Sequence, residues 1–144
     1  MQKISDTQRH IIMASIRSKG TKPELHVRHW LWHHGYRYRL NVKSVPGSPD
    51  LVLRRYKTAI FVNGCFWHGH DECDIYNTPK RNTEFWNAKI ARNKERDLQN
   101  YKDLYNAGWH VVVIWECQLK KKNIEATMHG VEHMLSQYLL ELYK

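Results

Sequence analysis

From Thr58 to Trp115 the chain reads as a short apolar run, TAIFV, then a long helical stretch, TEFWNAKIARNKERDLQNYKDLYNA, then Gly108 and a second, valine-rich run, WHVVVIW. A strand, a helix and a strand in that order join parallel neighbours through a right-handed crossover, because parallel strands cannot be linked by a tight turn. The two apolar runs are therefore expected side by side in one sheet, with the helix laid across it. Around this unit, Thr21-Lys22-Pro23-Glu24 has capping-box spacing and opens a helix through His34 that Gly35 closes. Tyr36 to Val42, Asp50 to Leu53 and Thr58 to Val62 read as three short strands, the last two joined by a tight turn at Arg54 to Lys57. Thr83 opens the long helix to about Ala107, with Phe85, Ile90, Leu98, Tyr101 and Leu104 as packing positions, and Gly108 stops it. Trp109 to Trp115 reads as a fully buried strand. Ile124, Met128, Val131, Leu135, Tyr138 and Leu142 then fall at helical spacing. The predicted order is α-β-β-β-α-β-α, an α/β sandwich with a mixed central sheet flanked by helices. There is no repeat and no linker, since the VPGSP cluster at 45–49 is too short to separate domains, so a single domain over residues 1–144 is expected.

Charge narrows the choice of partner. Lys plus Arg number 23 against 14 Asp plus Glu, a formal charge of +9 with ten histidines in reserve. The basic residues run from Lys3 to Lys144 among six tryptophans and eight tyrosines, a mixture suited to phosphate contact and base stacking. Nucleic acid is the leading partner and an anionic membrane surface the second. No apolar run approaches the ~20 residues of a membrane span. The start, MQKISDTQRHII, lacks a signal peptide's apolar region, so a cytoplasmic protein is expected.

The stretch AIFVNGCFWHGHDEC, Ala59 to Cys73, ends a strand-like run in a loop crowded with soft ligands and aromatics. Cys65, His70 and Cys73 offer three metal ligands within nine residues, and Cys117, just past the last strand, can supply a fourth. Such a site would staple a loop with little core of its own; the alternative is three packed thiols with incidental histidines. His68 is left over as a general base beside a metal-poised phosphate, as a zinc ligand in place of His70, or as a surface residue. Ser48-Pro49-Asp50 precedes an apolar strand, where a carboxylate held by a stiff proline can face a hard cation such as Mg²⁺ or merely cap its own turn. In an antiparallel hairpin the start of the Asp50 strand lies beside the end of the Thr58 strand, so Asp50 and His68 can share a site. Phe66 and Trp67 can project together from a metal-pinned loop and wedge between base steps, or fill core. Glu24 has a second reading as the capping-box partner, and Asp97 as a surface charge paired with Arg92 or Lys94.

Five strings, MASIRSKGTKPE, PGSPDLVL, IFVNGCFWHGH, TEFWNAKIARNKERD and GWHVVVIWEC, occur in register between about Arg9 and Leu119. Through them the chain resembles the very short patch repair mismatch endonucleases, the Vsr family. The resemblance implies a restriction-endonuclease-like fold of the PD-(D/E)XK type and a Mg²⁺-dependent enzyme that nicks double-stranded DNA 5′ to the thymine of a T·G mismatch. By the same resemblance Asp50 and the backbone carbonyl of Val62 would bind Mg²⁺, and His68 would activate the attacking water. Glu24 and Asp97 would act through metal-bound water. Cys65, His70, Cys73 and Cys117 would hold a structural Zn²⁺. Phe66 and Trp67 would enter beside the mismatch from the major groove and Met13 from the opposite one. The enzyme would act as a monomer on nucleoid DNA, followed by downstream repair proteins. Two departures stand out. Asn63 occupies a catalytic position where His or Asp is usual, and two residues rather than one separate His70 from Cys73, which leaves Asp71 as a substitute zinc ligand. Two other functions share this scaffold: a catalytically silent zinc-stapled DNA-binding module, and a mismatch-independent nuclease.

Overall fold

A computed structural model describes residues 21–70, 73 and 81–143. Helix α1 spans Lys22–His33, with the Thr21 hydroxyl accepting the Glu24 amide at 3.4 Å and proline in its first turn. Its end is set by Gly35 at φ 86°, which lets Tyr36 N–H reach the Leu31 carbonyl at 2.9 Å and Gly35 N–H reach that of Trp32 at 3.1 Å. This pair of bonds satisfies carbonyls that the helix end would otherwise leave open. Strand β1 is Leu51–Leu53 and β2 is Thr58–Asn63, joined by a 3₁₀ turn at Arg54–Tyr56. Helix α2 runs Thr83–Asn106, β3 is His110–Trp115, a second 3₁₀ turn covers Glu116–Leu119, and α3 is Ile124–Leu142.

The sheet has the order β1-β2-β3, with β1 antiparallel and β2 parallel to its successor. The crossover from β2 through α2 to β3 is the arrangement that the strand, helix and strand pattern demands. Side chains alternate between two faces. Leu51, Leu53, Ile60, Val62, Val112 and Ile114 pack under α1 and α3 against Val27, Leu31, Met128, Val131 and Leu135. Val52, Ala59 and Phe61 face the other way, toward Leu104 and Tyr101 of α2. All six residues of central β2 are buried.

Three expectations need correction. Tyr36 to Val42 is not a strand: only Arg39 pairs, in one isolated bridge with Val52. Asn41 turns to φ 54°, which takes the chain out of extended geometry before a ladder can grow. Trp109 to Trp115 is not fully buried, because β3 has one strand neighbour among the described residues and only Val112 and Ile114 are covered. On α2, Phe85 and Leu98 are exposed while Ile90 and Leu104 are buried. The inward stripe is 90, 94, 97, 101 and 104, so Asp97, a charge with a surface reading, lies on the face turned to the sheet.

Candidate active site and metal centre

Both sites grow from the end of β2. Asp50, one residue before β1, stands beside that end because the hairpin is antiparallel, and its Oδ2 accepts the Val62 N–H at 2.7 Å. Beyond Asn63 the chain coils tightly: His68 N–H reaches the Gly64 carbonyl at 3.2 Å and His70 N–H the Cys65 carbonyl at 2.9 Å. The coil is pressed against α2. A Cβ on Gly69, whose φ is 59°, would stand 2.5 Å from both Ile90 Cγ2 and Lys94 Cε, so neither conformation nor space admits a side chain. Asn93 Nδ2 donates to the Trp67 carbonyl at 2.9 Å, one helical turn from Asp97.

Asp97 Oδ2 meets His68 Nδ1 at 2.5 Å. A carboxylate can only accept, so Nδ1 carries the hydrogen and Nε2 keeps its lone pair for a proton from elsewhere. Glu24, on the first turn of α1 and 5% exposed, pairs with Arg28 at 3.6 Å and is in hydrogen-bond contact with Asp50. Burial above all, and then Glu24, push the Asp50 carboxyl up to about 7, while the Val62 N–H and His68 oppose the shift. A buried and a half-buried carboxyl thus face each other inside a protein of charge +9, a crowding that a cation would relieve. Their hard oxygens suit Mg²⁺.

Asn63 and Tyr101 complete this cluster. Asn63, 3% exposed, donates from Nδ2 to the Tyr101 hydroxyl at 3.0 Å. Burial, with the charges of Asp97 and Asp50, pushes that hydroxyl up to about 12, although the Asn63 bond pulls the other way. Sequence periodicity marks Tyr101 only as a packing position, since nothing in a lone tyrosine on a helix signals a polar role.

On the opposite side of the coil, one ligand atom from each of Cys65, His70, Cys73 and Cys117 lies within 4.8 Å of the others. The Cys117 N–H donates to Cys65 Sγ at 3.4 Å, and Cys117 Sγ lies 3.4 Å from His70 Nδ1. Tetrahedral ligands at about 2.3 Å from an ion stand about 3.8 Å apart, so small adjustments close this set around one metal. Burial pushes the Cys65 thiol up to about 12 and raises Cys117 as well; a bound cation would reverse that and hold thiolates. Trp115 stacks on His70 at 4.1 Å and fixes its ring plane. This Cys₃His set can hold a metal.

Phe66 and Trp67 are half-buried but belong to neither core cluster. Their rings meet edge to face at 5.1 Å, and both contact Trp86 on the first turn of α2, at 5.5 and 5.9 Å. The Lys89 ammonium lies 5.5 Å from the Trp67 ring and 5.8 Å from Trp86. Trp86 is the member that sequence reading missed; its only signal was the adjacent pair Phe85-Trp86. Met13 and Asp71 lie outside the described residues.

Residues 1–75, which carry Glu24, Asp50 and the coil through Cys73, match the family model described as DNA mismatch endonuclease Vsr. The chain belongs to the Vsr family. As a Vsr-family member it is a DNA endonuclease, a hydrolase. Its Vsr-type relatives extend the likeness past the matched half. The type II nicking enzyme V.NmeAIP of Neisseria meningitidis serogroup A is 49% identical over 118 residues, 82% of this chain and 84% of the relative. V.XorIIP of Xanthomonas oryzae pv. oryzae, also a type II nicking enzyme, is 43% identical over 130 residues, 90% and 95% of the two chains. The DNA mismatch endonuclease Vsr of Escherichia coli K12 is 39% identical over 108 residues, 75% and 69%. No helix among the described residues is long and apolar enough to cross a membrane.

Proposed function

We propose that this chain is a single PD-(D/E)XK-type endonuclease domain over residues 1–144 that nicks one DNA strand 5′ to the thymine of a T·G mismatch in the presence of Mg²⁺. The observation that carries this reading is the convergence of Asp50, Glu24, His68 and Asp97 at the end of β2. Asp50 and the Val62 carbonyl would hold Mg²⁺, with Glu24 acting through its water shell. Bound there, the ion would polarise the scissile phosphate and acidify the attacking water. His68 takes a proton at Nε2, and Asp97 stabilises the imidazolium that results. Cys65, His70, Cys73 and Cys117 would hold Zn²⁺, which ties the coil to the end of β3. The enzyme works as a monomer on DNA in the cytoplasm, and downstream repair proteins complete the patch. Mapping the cut on strand-labelled T·G duplexes, with and without Mg²⁺, tests this directly. A break on the thymine's 5′ side that requires the ion is expected; cutting in EDTA, or at scattered positions, would reject the mechanism.

Two expected results follow from the geometry. As pH falls through about 7, Asp50 gains a proton and loses the charge that attracts the cation. The Mg²⁺ concentration for half-maximal nicking should therefore rise by up to about tenfold per unit below neutrality and level off above it. Mg²⁺ titrations on either side of neutrality measure this, and an unchanged requirement would separate Asp50 from metal binding.

Phe66 and Trp67, braced by Trp86 and joined by Met13 from the other groove, would wedge into the duplex. A T·G wobble step gives way more readily than a matched one. Phe66→Ala with Trp67→Ala should lower discrimination between T·G and T·A duplexes by about tenfold, if about 1.4 kcal/mol of differential wedge energy is lost. Preserved discrimination with a large drop in melting temperature would assign the pair to packing instead.

A further inference from the structure

We infer that Tyr101 is a positioning residue for the hydrolysis, holding the Asn63 amide so that its carbonyl oxygen is presented to the reaction centre. This rests on the proposed function together with the catalytic position that the family resemblance gives Asn63.

The amide and the hydroxyl are 3.0 Å apart, and either could donate. The surroundings choose. A phenol hydrogen is drawn toward negative charge, and the two charges felt by this hydroxyl are those of Asp97 and Asp50. With its hydrogen turned to that side, the oxygen offers Asn63 a lone pair, which selects the NH₂ group as the bonded end. The Nδ2 end of Asn63 is engaged by the Tyr101 hydroxyl, in a residue only 3% exposed. With Nδ2 held there, Oδ1 is the end left to be presented as a neutral acceptor, suited to a water molecule or to a hard cation. Phe61 holds the Tyr101 ring edge to face at 5.0 Å, so the hydroxyl has little freedom to leave. A residue that cannot titrate can still orient the nucleophile if its rotamer is fixed, and Tyr101 supplies the fixing.

The test is a cycle of Asn63→Ala, Tyr101→Phe and the double variant, read by single-turnover nicking of a T·G duplex, duplex affinity and thermal melting. Tyr101→Phe keeps the ring contact with Phe61 but leaves a buried donor unpaired, so melting should fall modestly and duplex affinity stay near wild type, while the nicking rate of the folded variant falls about tenfold, the effect of one orienting hydrogen bond. The double variant should be no slower than Asn63→Ala alone, because Tyr101 acts only through that amide. An unaffected rate in Tyr101→Phe, a loss that tracks melting temperature, or additive losses in the double variant would overturn the assignment while leaving the catalytic set intact. Wild-type nicking by Asn63→Ala would overturn both this assignment and the catalytic role of Asn63.

Discussion

Asp50→Ala is expected to slow nicking by about 10³-fold or more, about 4 kcal/mol of transition-state stabilisation, while affinity for the duplex changes less than about twofold. In the proposed mechanism the carboxylate would hold a cation and touch no base, so binding and chemistry should separate cleanly. Stability should shift little, because two effects oppose each other. The Val62 N–H loses its partner at 2.7 Å, a cost of about 1–3 kcal/mol, and the burial of the Asp50 carboxyl and its crowding by Glu24, which together raise its pKa, are relieved. Single-turnover rates, titration of a labelled duplex and thermal melts measure the three quantities. Residual activity near wild type would remove Asp50 from the centre of the mechanism.

Removing the metal from the Cys₃His set should cost the most stability. Cys65 leaves β2, Cys117 follows β3, and His70 and Cys73 lie on the coil and beyond it. One ion held there would tie the ends of two parallel strands to the segment that carries His68, Phe66 and Trp67. Freshly purified protein should contain one zinc per chain. Chelation or Cys117→Ser should destabilise the fold on the order of 5 kcal/mol or more and abolish nicking through the loss of His68 placement. Elemental analysis finding no zinc, or an unchanged melt after chelation, would show that the thiols only pack.

Elements whose signals are local were legible in the sequence. Gly35 and Gly108 stop α1 and α2 with matching hydrogen-bond patterns, and the antiparallel hairpin places Asp50 beside the end of β2. What escaped depends on which side of an element faces what. The apolar count of Trp109 to Trp115 cannot say that β3 has one strand neighbour among the described residues, and the run from Tyr36 to Val42 has strand composition but is broken by Asn41 at positive φ. On α2 the hydrophobic residues Phe85 and Leu98 are exposed, while Asp97 and Tyr101 turn inward. A polar site interrupts the apolar stripe there, and periodicity reads a polar interruption as surface. Trp86 escaped for a related reason: its contacts are with rings on a distant coil, and sequence spacing does not encode them.

The most direct measurement is the single-turnover nicking rate of the wild-type enzyme in Mg²⁺ on two duplexes that differ only in a T·G or a T·A pair. A mismatch enzyme built on this site should cut the thymine strand of the T·G duplex at one position and leave the matched duplex at least about tenfold slower. Equal rates on the two duplexes would contradict mismatch recognition and mark a nuclease indifferent to pairing.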